Sequence, residues 1–90
     1  MIHVHLPVQL QRLFETRPVE PIDAVTIRQM LAGLDARYPG IAARVCEPDG
    51  TLRRYVNIFA GGEDIRRLGG LDAELRPGTD VLIVPVIAGG

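Results

Sequence analysis

The sequence ends on Val81-Leu82-Ile83-Val84-Pro85-Val86-Ile87-Ala88-Gly89-Gly90, and this stretch decides the fold. Its first four residues are all apolar, which is typical of a strand in the middle of a sheet that a helix covers on one side. Pro85 cannot donate a ladder hydrogen bond, so we expect sheet pairing to end about there. The residues after it would form an extended tail of about 17 Å, at roughly 3.3–3.6 Å per residue.

Hydrophobic spacing predicts the other main elements. Residues 2–6 alternate apolar side chains with histidines, which predicts a half-buried strand. Thr26 and Gln29 fit a capping box at the start of a helix. An apolar stripe at helical spacing follows, made of Ile27, Met30, Leu31, Leu34 and Tyr38. Residues 55–59 are rich in β-branched and aromatic side chains and predict another strand.

Several shorter segments carry weaker patterns. Pro18 and Pro21 exclude a helix from the second half of residues 8–23, where we predict a short strand over residues 17–22. We also predict a helical turn over residues 41–46, a short strand beginning at Ile65 and a single turn over residues 72–75.

These elements predict an α+β fold in the order β-β-α-β-β-β. One main helix would cross a mixed sheet of four or five strands, in which the first and last strands are parallel neighbours. We assign residues 1–85 to this domain and residues 86–90 to the tail.

The composition is that of one small globular domain, with 90 residues and a net charge of −1. This charge gives no electrostatic basis for nucleic-acid binding, and no apolar run approaches the roughly 20 residues that span a bilayer. With no signal peptide evident, we expect a cytoplasmic protein that binds neither nucleic acid nor membrane. All ten basic residues are arginine, so no lysine amine can accept an isopeptide bond.

Three side chains have reactive groups but a simpler interpretation. His3 and His5 share one face of the first strand, but no third ligand is evident, so we expect solvated histidines and no metal site. Cys46 has no candidate base beside it, so we interpret it as a packed side chain and not as a nucleophile. We therefore expect no catalytic residue in the chain.

The tail offers one chemically useful group, the carboxylate of Gly90. Side-chain size falls from Ile87 through Ala88 to Gly89, and a peptide without a Cβ atom passes where other residues would clash. A carboxylate is ionised at pH 7 and is a poor electrophile, so it needs activation. A partner that uses ATP could form an acyl-adenylate, and a sulfur donor could convert it to a thiocarboxylate. The sequence shows no nucleotide site, so we expect the partner, and not this chain, to bind ATP.

Five segments carry a resemblance to a known family: Ala36-Arg37-Tyr38-Pro39-Gly40-Ile41, Arg54-Tyr55-Val56-Asn57-Ile58-Phe59, Glu63-Asp64-Ile65-Arg66, Gly69-Gly70-Leu71 and Val84-Pro85-Val86-Ile87-Ala88-Gly89-Gly90. The chain resembles the ubiquitin-like β-grasp sulfur carriers related to the molybdopterin-synthase small subunit and to the thiamine sulfur carrier. Over nearly its whole length it is most similar to the thiocarboxylate carriers of cysteine biosynthesis.

The resemblance implies partners and a modification site. An E1-like adenylyltransferase would activate Gly90, which would become a thiocarboxylate, while Gly89 and Ala88 give access to it. A pyridoxal-phosphate-dependent cysteine synthase would accept the sulfur. A metalloprotease trims residues that follow the Gly-Gly pair in some relatives; we expect the present sequence to be the mature form. Similar carriers also serve the biosynthesis of siderophores and other sulfur-containing metabolites, so the pathway stays open.

Three alternatives stay open beside the sulfur carrier: the small subunit of a molybdopterin-synthase-like complex, a ubiquitin-like modifier, and a plain binding module. We expect an exposed apolar patch on the sheet face opposite the helix, because carriers of this family dock that face on their partners. The candidate contact residues are Val86, Ile87, Phe59 and Arg66. Spacing alone does not decide which alternate residues of the 55–59 strand face outward.

Overall fold

Five strands form one mixed sheet in this computed structural model, which describes residues 1–85. The strands are β1 (Ile2–His5), β2 (Val19–Ile22), β3 (Val56–Ala60), β4 (Glu63–Asp64) and β5 (Asp80–Pro85). The helices are α1 (Val8–Phe14), α2 (Ile27–Arg37) and α3 (Ile41–Val45), and two 3₁₀ turns cover Ile65–Arg67 and Gly70–Asp72. The predicted tail, with Val86, Ile87, Ala88, Gly89 and Gly90, lies outside the described residues.

Strand β5 lies at the centre of the sheet, whose order is β2-β1-β5-β3-β4. It pairs in parallel with β1, where Val4 lies beside Val81, and antiparallel with β3, where Ile58 lies beside Ile83. The prediction that the first and last strands are parallel neighbours is confirmed. A parallel pair needs a long crossover connection, and the segment that contains α2 supplies it.

The core lies between the sheet and the helices, because alternate strand residues point toward α2. Val81 and Ile83 are buried, while Leu82 and Val84 remain 39% and 37% exposed. From α2 the core receives the predicted stripe, with Ile27, Met30, Leu31 and Leu34 buried and Tyr38 partly buried. Helix and sheet are therefore each buried on one side only.

Helix α2 begins at the predicted cap, with one difference. The Thr26 hydroxyl accepts a hydrogen bond from the Gln29 backbone N–H at 3.1 Å. The Gln29 side-chain oxygen accepts from the N–H of Val25 at 3.0 Å, one residue before the position that a standard capping box uses. The Gln29 N–H would otherwise lack a partner at the helix start.

Helix α1 was missed by the sequence prediction. It follows Pro7 directly and has only seven residues, of which Leu10, Leu13 and Phe14 lie at helical spacing and only Leu10 is buried, so its apolar pattern is too short to identify a helix. Helix α3, by contrast, confirms the helical turn predicted over residues 41–46.

Two predictions after β3 were wrong. The strand expected from Ile65 is a 3₁₀ turn, because the Asp64 carboxylate accepts a hydrogen bond from the Arg66 backbone N–H at 2.9 Å and caps that turn. The turn expected over residues 72–75 lies earlier, at Gly70–Asp72.

A buried carboxylate ties strand β2 to the end of α2. Glu20 is 1% exposed, and its oxygens accept hydrogen bonds from the Tyr38 hydroxyl at 2.6 Å and from the guanidinium groups of Arg37 and Arg17 at 3.1 Å. The Arg17 backbone N–H donates a further bond at 3.0 Å. Burial alone would raise the pKa of Glu20, but the hydrogen bonds from Tyr38 and Arg17 lower that pKa from 4.5 to about 2.

We predict that Glu20→Gln lowers the free energy of unfolding by about 3 kcal/mol, because a buried charge pair is broken and an amide N–H₂ group faces guanidinium donors. Urea denaturation at neutral pH measures this. The control is Glu74→Gln, which removes a carboxylate from an exposed position and should change stability by less than about 0.5 kcal/mol. Equal effects of the two substitutions would contradict the role assigned to Glu20.

The lowered pKa of Glu20 also predicts a dependence of stability on pH. Because the folded-state pKa lies below the ordinary value of 4.5, the ionised Glu20 stabilises the fold above that pH, and this contribution is lost as pH falls toward 2. We expect Glu20 to account for up to about 3 kcal/mol of the free energy of unfolding that is lost at low pH. Urea denaturation between pH 6 and pH 2.5 measures it, and Glu20→Gln should show a correspondingly flatter profile. An unchanged profile in the variant would contradict the assignment.

Candidate functional site

The sheet face opposite the helices carries a row of side chains across all five strands. In the strand register His5 lies between Val19 and Leu82, Leu82 lies beside Phe59, and Phe59 lies beside Asp64. Leu82 is exposed and Phe59 is half-buried. We call these five residues the outer row; its middle presents a leucine and a phenylalanine side by side.

A polar group borders the outer row toward the end of β5. Val84 lies beside Asn57 in the register, and the Arg66 guanidinium donates to the Asn57 side-chain oxygen at 2.8 Å and to the Val56 carbonyl at 3.0 Å. The Asp64 carboxylate lies 3.6 Å from the same guanidinium. Two partners in β3 and one in β4 therefore hold the Arg66 guanidinium in place, and its partner Asn57 is two residues before Phe59 along β3.

The structure settles the phase of β3 that spacing left open. Asn57 and Phe59 face the outer side, whereas Val56 and Ile58 are buried under the helices. Two of the predicted contact residues, Phe59 and Arg66, therefore lie on the predicted sheet face. The other two, Val86 and Ile87, lie outside residues 1–85, and so does Gly90.

Pro85, the last described residue, pairs with Val56 at one end of the sheet. The residue before it, Val84, belongs to the outer face and pairs with Asn57 of β3. Any chain that continues from Pro85 therefore starts next to the outer row and its polar border. This placement joins the predicted tail to the predicted docking face.

The histidine and cysteine side chains that could be reactive contribute to the structure of the domain instead. His5 Nε2 lies 3.0 Å from the Asp80 carboxylate and joins β1 to β5. Within residues 1–85 no group of three or more His, Cys, Asp or Glu side chains is placed to hold a metal ion. Cys46 is partly buried, and this burial raises the pKa of its thiol although Arg28 and Arg53 act against it. A raised pKa disfavours the thiolate that a nucleophile needs.

Sequence reasoning missed Leu82 and Val84 as members of the outer face. Both belong to a run that is apolar at every position, so hydrophobicity did not separate the two sides. The signal was in β1, where His3 and His5 mark the outer side of the neighbouring strand. Parallel pairing of His5 with Leu82 carries that assignment to β5.

The sheet order, the helix crossover and the apolar outer face define a small protein with the ubiquitin-like β-grasp fold. The chain belongs to the ThiS family, whose model matches residues 4–90. That match extends beyond the described residues to the final glycine. No helix within residues 1–85 has the length and apolar character needed to cross a membrane.

Individual relatives support the same assignment. The sulfur carrier protein CysO of Mycobacterium tuberculosis is 40% identical over 67 residues, which cover 72% of each chain, and its crystal structure superposes with a TM-score of 0.90 at 30% identity, covering 97% of this chain and 100% of that one. CysO in the Amycolatopsis orientalis BexX/CysO complex superposes over 100% of both chains, with a TM-score of 0.92 at 29% identity.

Small archaeal modifier protein 3 of Haloferax volcanii is 35% identical over 68 residues, covering 76% of this chain and 73% of the relative. The relatives are thus named as carriers and a modifier and not as enzymes, in agreement with the expectation that this chain is itself no enzyme.

Proposed function

We propose that this protein is a sulfur carrier that is adenylylated and then thiocarboxylated at Gly90. The observation that carries the proposal is the family match, which runs through the tail to residue 90 and not only through the folded domain. The similarity to CysO, which is named as a sulfur carrier protein, supports the same chemistry.

The reaction needs two steps on the tail carboxylate. A Gly90 oxygen attacks the α-phosphorus of ATP and releases pyrophosphate, which leaves an acyl-adenylate. Sulfide equivalents from a donor then attack the acyl carbon and displace AMP, leaving a thiocarboxylate. Both steps belong to partners, which we propose to be an E1-like adenylyltransferase and a sulfur donor.

The domain's role in this proposal is to present the tail and to be recognised. Leu82 and Phe59 of the outer row would pack on the partner, and Arg66 with Asn57 would form the polar rim beside the start of the tail. Gly89 and Ala88 would let the tail enter a narrow channel. The polar border is held by hydrogen bonds before any partner arrives, which reduces the entropy cost of binding.

We propose a pyridoxal-phosphate-dependent cysteine synthase as the sulfur acceptor, and a metalloprotease as a trimming partner if a longer precursor exists. The similarity to CysO supports the cysteine pathway, and the BexX/CysO complex indicates that a carrier of this type forms complexes with other proteins. All these reactions would take place in the cytoplasm.

A ubiquitin-like modifier is the second candidate, and the similarity to the archaeal modifier protein favours it. The two functions use the same activated tail and differ in the nucleophile that attacks it, which is a sulfur donor in one case and a partner's lysine in the other. Because this chain has no lysine, one copy could be attached to a partner's lysine, but further copies could not be linked to it as a chain.

We expect intact-mass spectrometry to show oxygen-to-sulfur exchange when the protein is incubated with its adenylyltransferase, ATP and sulfide. Deletion of Gly90 should abolish the exchange, while Arg76→Glu, at the opposite end of the sheet, should leave it unchanged. No mass change in the wild-type protein would contradict the sulfur-carrier function. Gly-Gly remnants on partner lysines, without thiocarboxylate, would favour the modifier.

We also predict that Phe59→Ser and Leu82→Ser each raise the KM of the adenylyltransferase for the carrier about tenfold, because each removes an apolar contact from the outer row. Both side chains are partly exposed, so stability should fall by no more than about 1 kcal/mol. Steady-state adenylylation rates and urea denaturation test this. Val25→Ser is the control, since Val25 is 60% exposed and lies away from β5's end. Equal KM values for all variants would exclude the outer row as the docking face.

A further inference from the structure

A groove of about 190 Å³ lies on the helix side of the sheet, directly under Pro85. Its walls come from α1, α3, the start of β3 and the end of β5, and most of them are apolar: Leu10, Leu13, Val45, Val56, Ile83 and Pro85. A cavity of ~150 Å³ lined by such side chains already holds a benzene-sized molecule. The groove therefore has room for one apolar side chain, and it lies on the opposite face from the outer row.

The rim of the groove is positively charged. Arg44 from α3 contributes to its lining, and no Asp or Glu among the described residues does. Arg12 lies next to Leu13 on the adjoining surface of α1. Neither arginine takes part in an ion pair within residues 1–85, whereas five of the other eight arginines do. The surface combines an apolar depression with two arginines that form no ion pair within residues 1–85, although Glu15 lies on the far side of Arg12 from the groove.

Exposed apolar side chains continue this surface outward. Leu13 is 54% exposed and Tyr55 is 50% exposed, and both contribute to the groove. Leu13 lies at helical spacing from the buried Leu10 but is itself exposed to solvent. Solvent-exposed apolar side chains that surround a groove are typical of an interaction site.

The tail brings a partner to this surface by geometry, an argument that rests on the proposed function. An enzyme that reaches the Gly90 carboxylate must accept the residues after Pro85, which span at most about 17 Å. The mouth of its channel must therefore stand against the surface around Pro85. Because Pro85 itself lines the groove, the wall of that mouth on the helix side faces Leu13 and Arg44.

We propose that the activating adenylyltransferase places an apolar side chain, flanked by carboxylates, in this groove. The apolar side chain packs on Leu13 and Tyr55, and the carboxylates pair with Arg44 and Arg12. The partner then holds the end of the sheet on both faces, at the outer row and at the groove. Two contacts on opposite sides of Pro85 fix the direction in which the tail leaves the domain.

The test compares groove variants with matched controls at the other end of the sheet. Leu13→Ser and Arg44→Glu change the groove, and Val25→Ser and Arg76→Glu make the same kinds of change near the starts of β1 and β5. The adenylyltransferase of the same organism is the probe, with Kd measured by calorimetry and KM by ATP–pyrophosphate exchange. All four side chains are exposed, so the variants should fold, and circular dichroism and urea denaturation check this.

We expect Leu13→Ser and Arg44→Glu to weaken binding about tenfold, with kcat unchanged, and the two controls to stay within about twofold. The loss in Arg44→Glu should shrink as salt is raised, because screening weakens exposed charge pairs, whereas the loss in Leu13→Ser should persist. Groove variants that bind as tightly as the controls would overturn the groove proposal and leave the sulfur-carrier function standing. A concentration-dependent dimer that Leu13→Ser abolishes would assign the groove to a second copy and also overturn it. Wild-type protein that neither binds nor becomes adenylylated would overturn both proposals.

Discussion

The pairing of β5 with two neighbours of opposite direction is the constraint on which the other parts of the structure depend. Parallel pairing with β1 requires a crossover, and that crossover is the segment in which α2 forms. Antiparallel pairing with β3 brings the third and fourth strands back to the same sheet. Both pairings fix the alternation along β5, so Val81 and Ile83 enter the core while Leu82 and Val84 remain outside. The pairing register of β5 therefore determines both which residues form the core and which form the outer row.

The edge of the domain is held by a different kind of interaction. Strand β2 has only four residues and pairs on one side only, with β1, so it has few ladder hydrogen bonds with which to stay in place. Glu20 compensates, because its carboxylate joins β2 to Tyr38 and Arg37 at the end of α2. The helix is thus attached to the centre of the sheet by apolar packing and to its edge by a charged network.

Hydrophobic spacing and capping residues predicted the elements whose formation depends on neighbouring residues in the sequence. The stripe of α2, its Thr26 cap and the strands β1, β3 and β5 were all evident from spacing. Helix α1 was not, because it has only seven residues and lies between Pro7 and Pro18, so its apolar spacing covers too few turns to identify a helix. The Glu20 network was missed for another reason: its partners are up to 18 residues away in sequence, and only the folded chain brings them together. Phe59 and Arg66 could be named as candidates, but the hydrogen bonds from Arg66 to Asn57 and Val56 depend on the turn at Ile65, which the sequence did not reveal.

Arg66 has a consequence for association of the protein with itself. An edge strand with unpaired backbone groups is a template on which another chain can add a strand, and such addition leads to aggregation. Strand β4 covers only the end of β3, at Phe59 and Ala60, and Arg66 occupies the Val56 carbonyl on the stretch that β4 leaves open. At the other edge, Pro21 interrupts the row of donors on β2. With both margins of the sheet protected in this way, the domain can expose apolar side chains on its faces without polymerising through its edges.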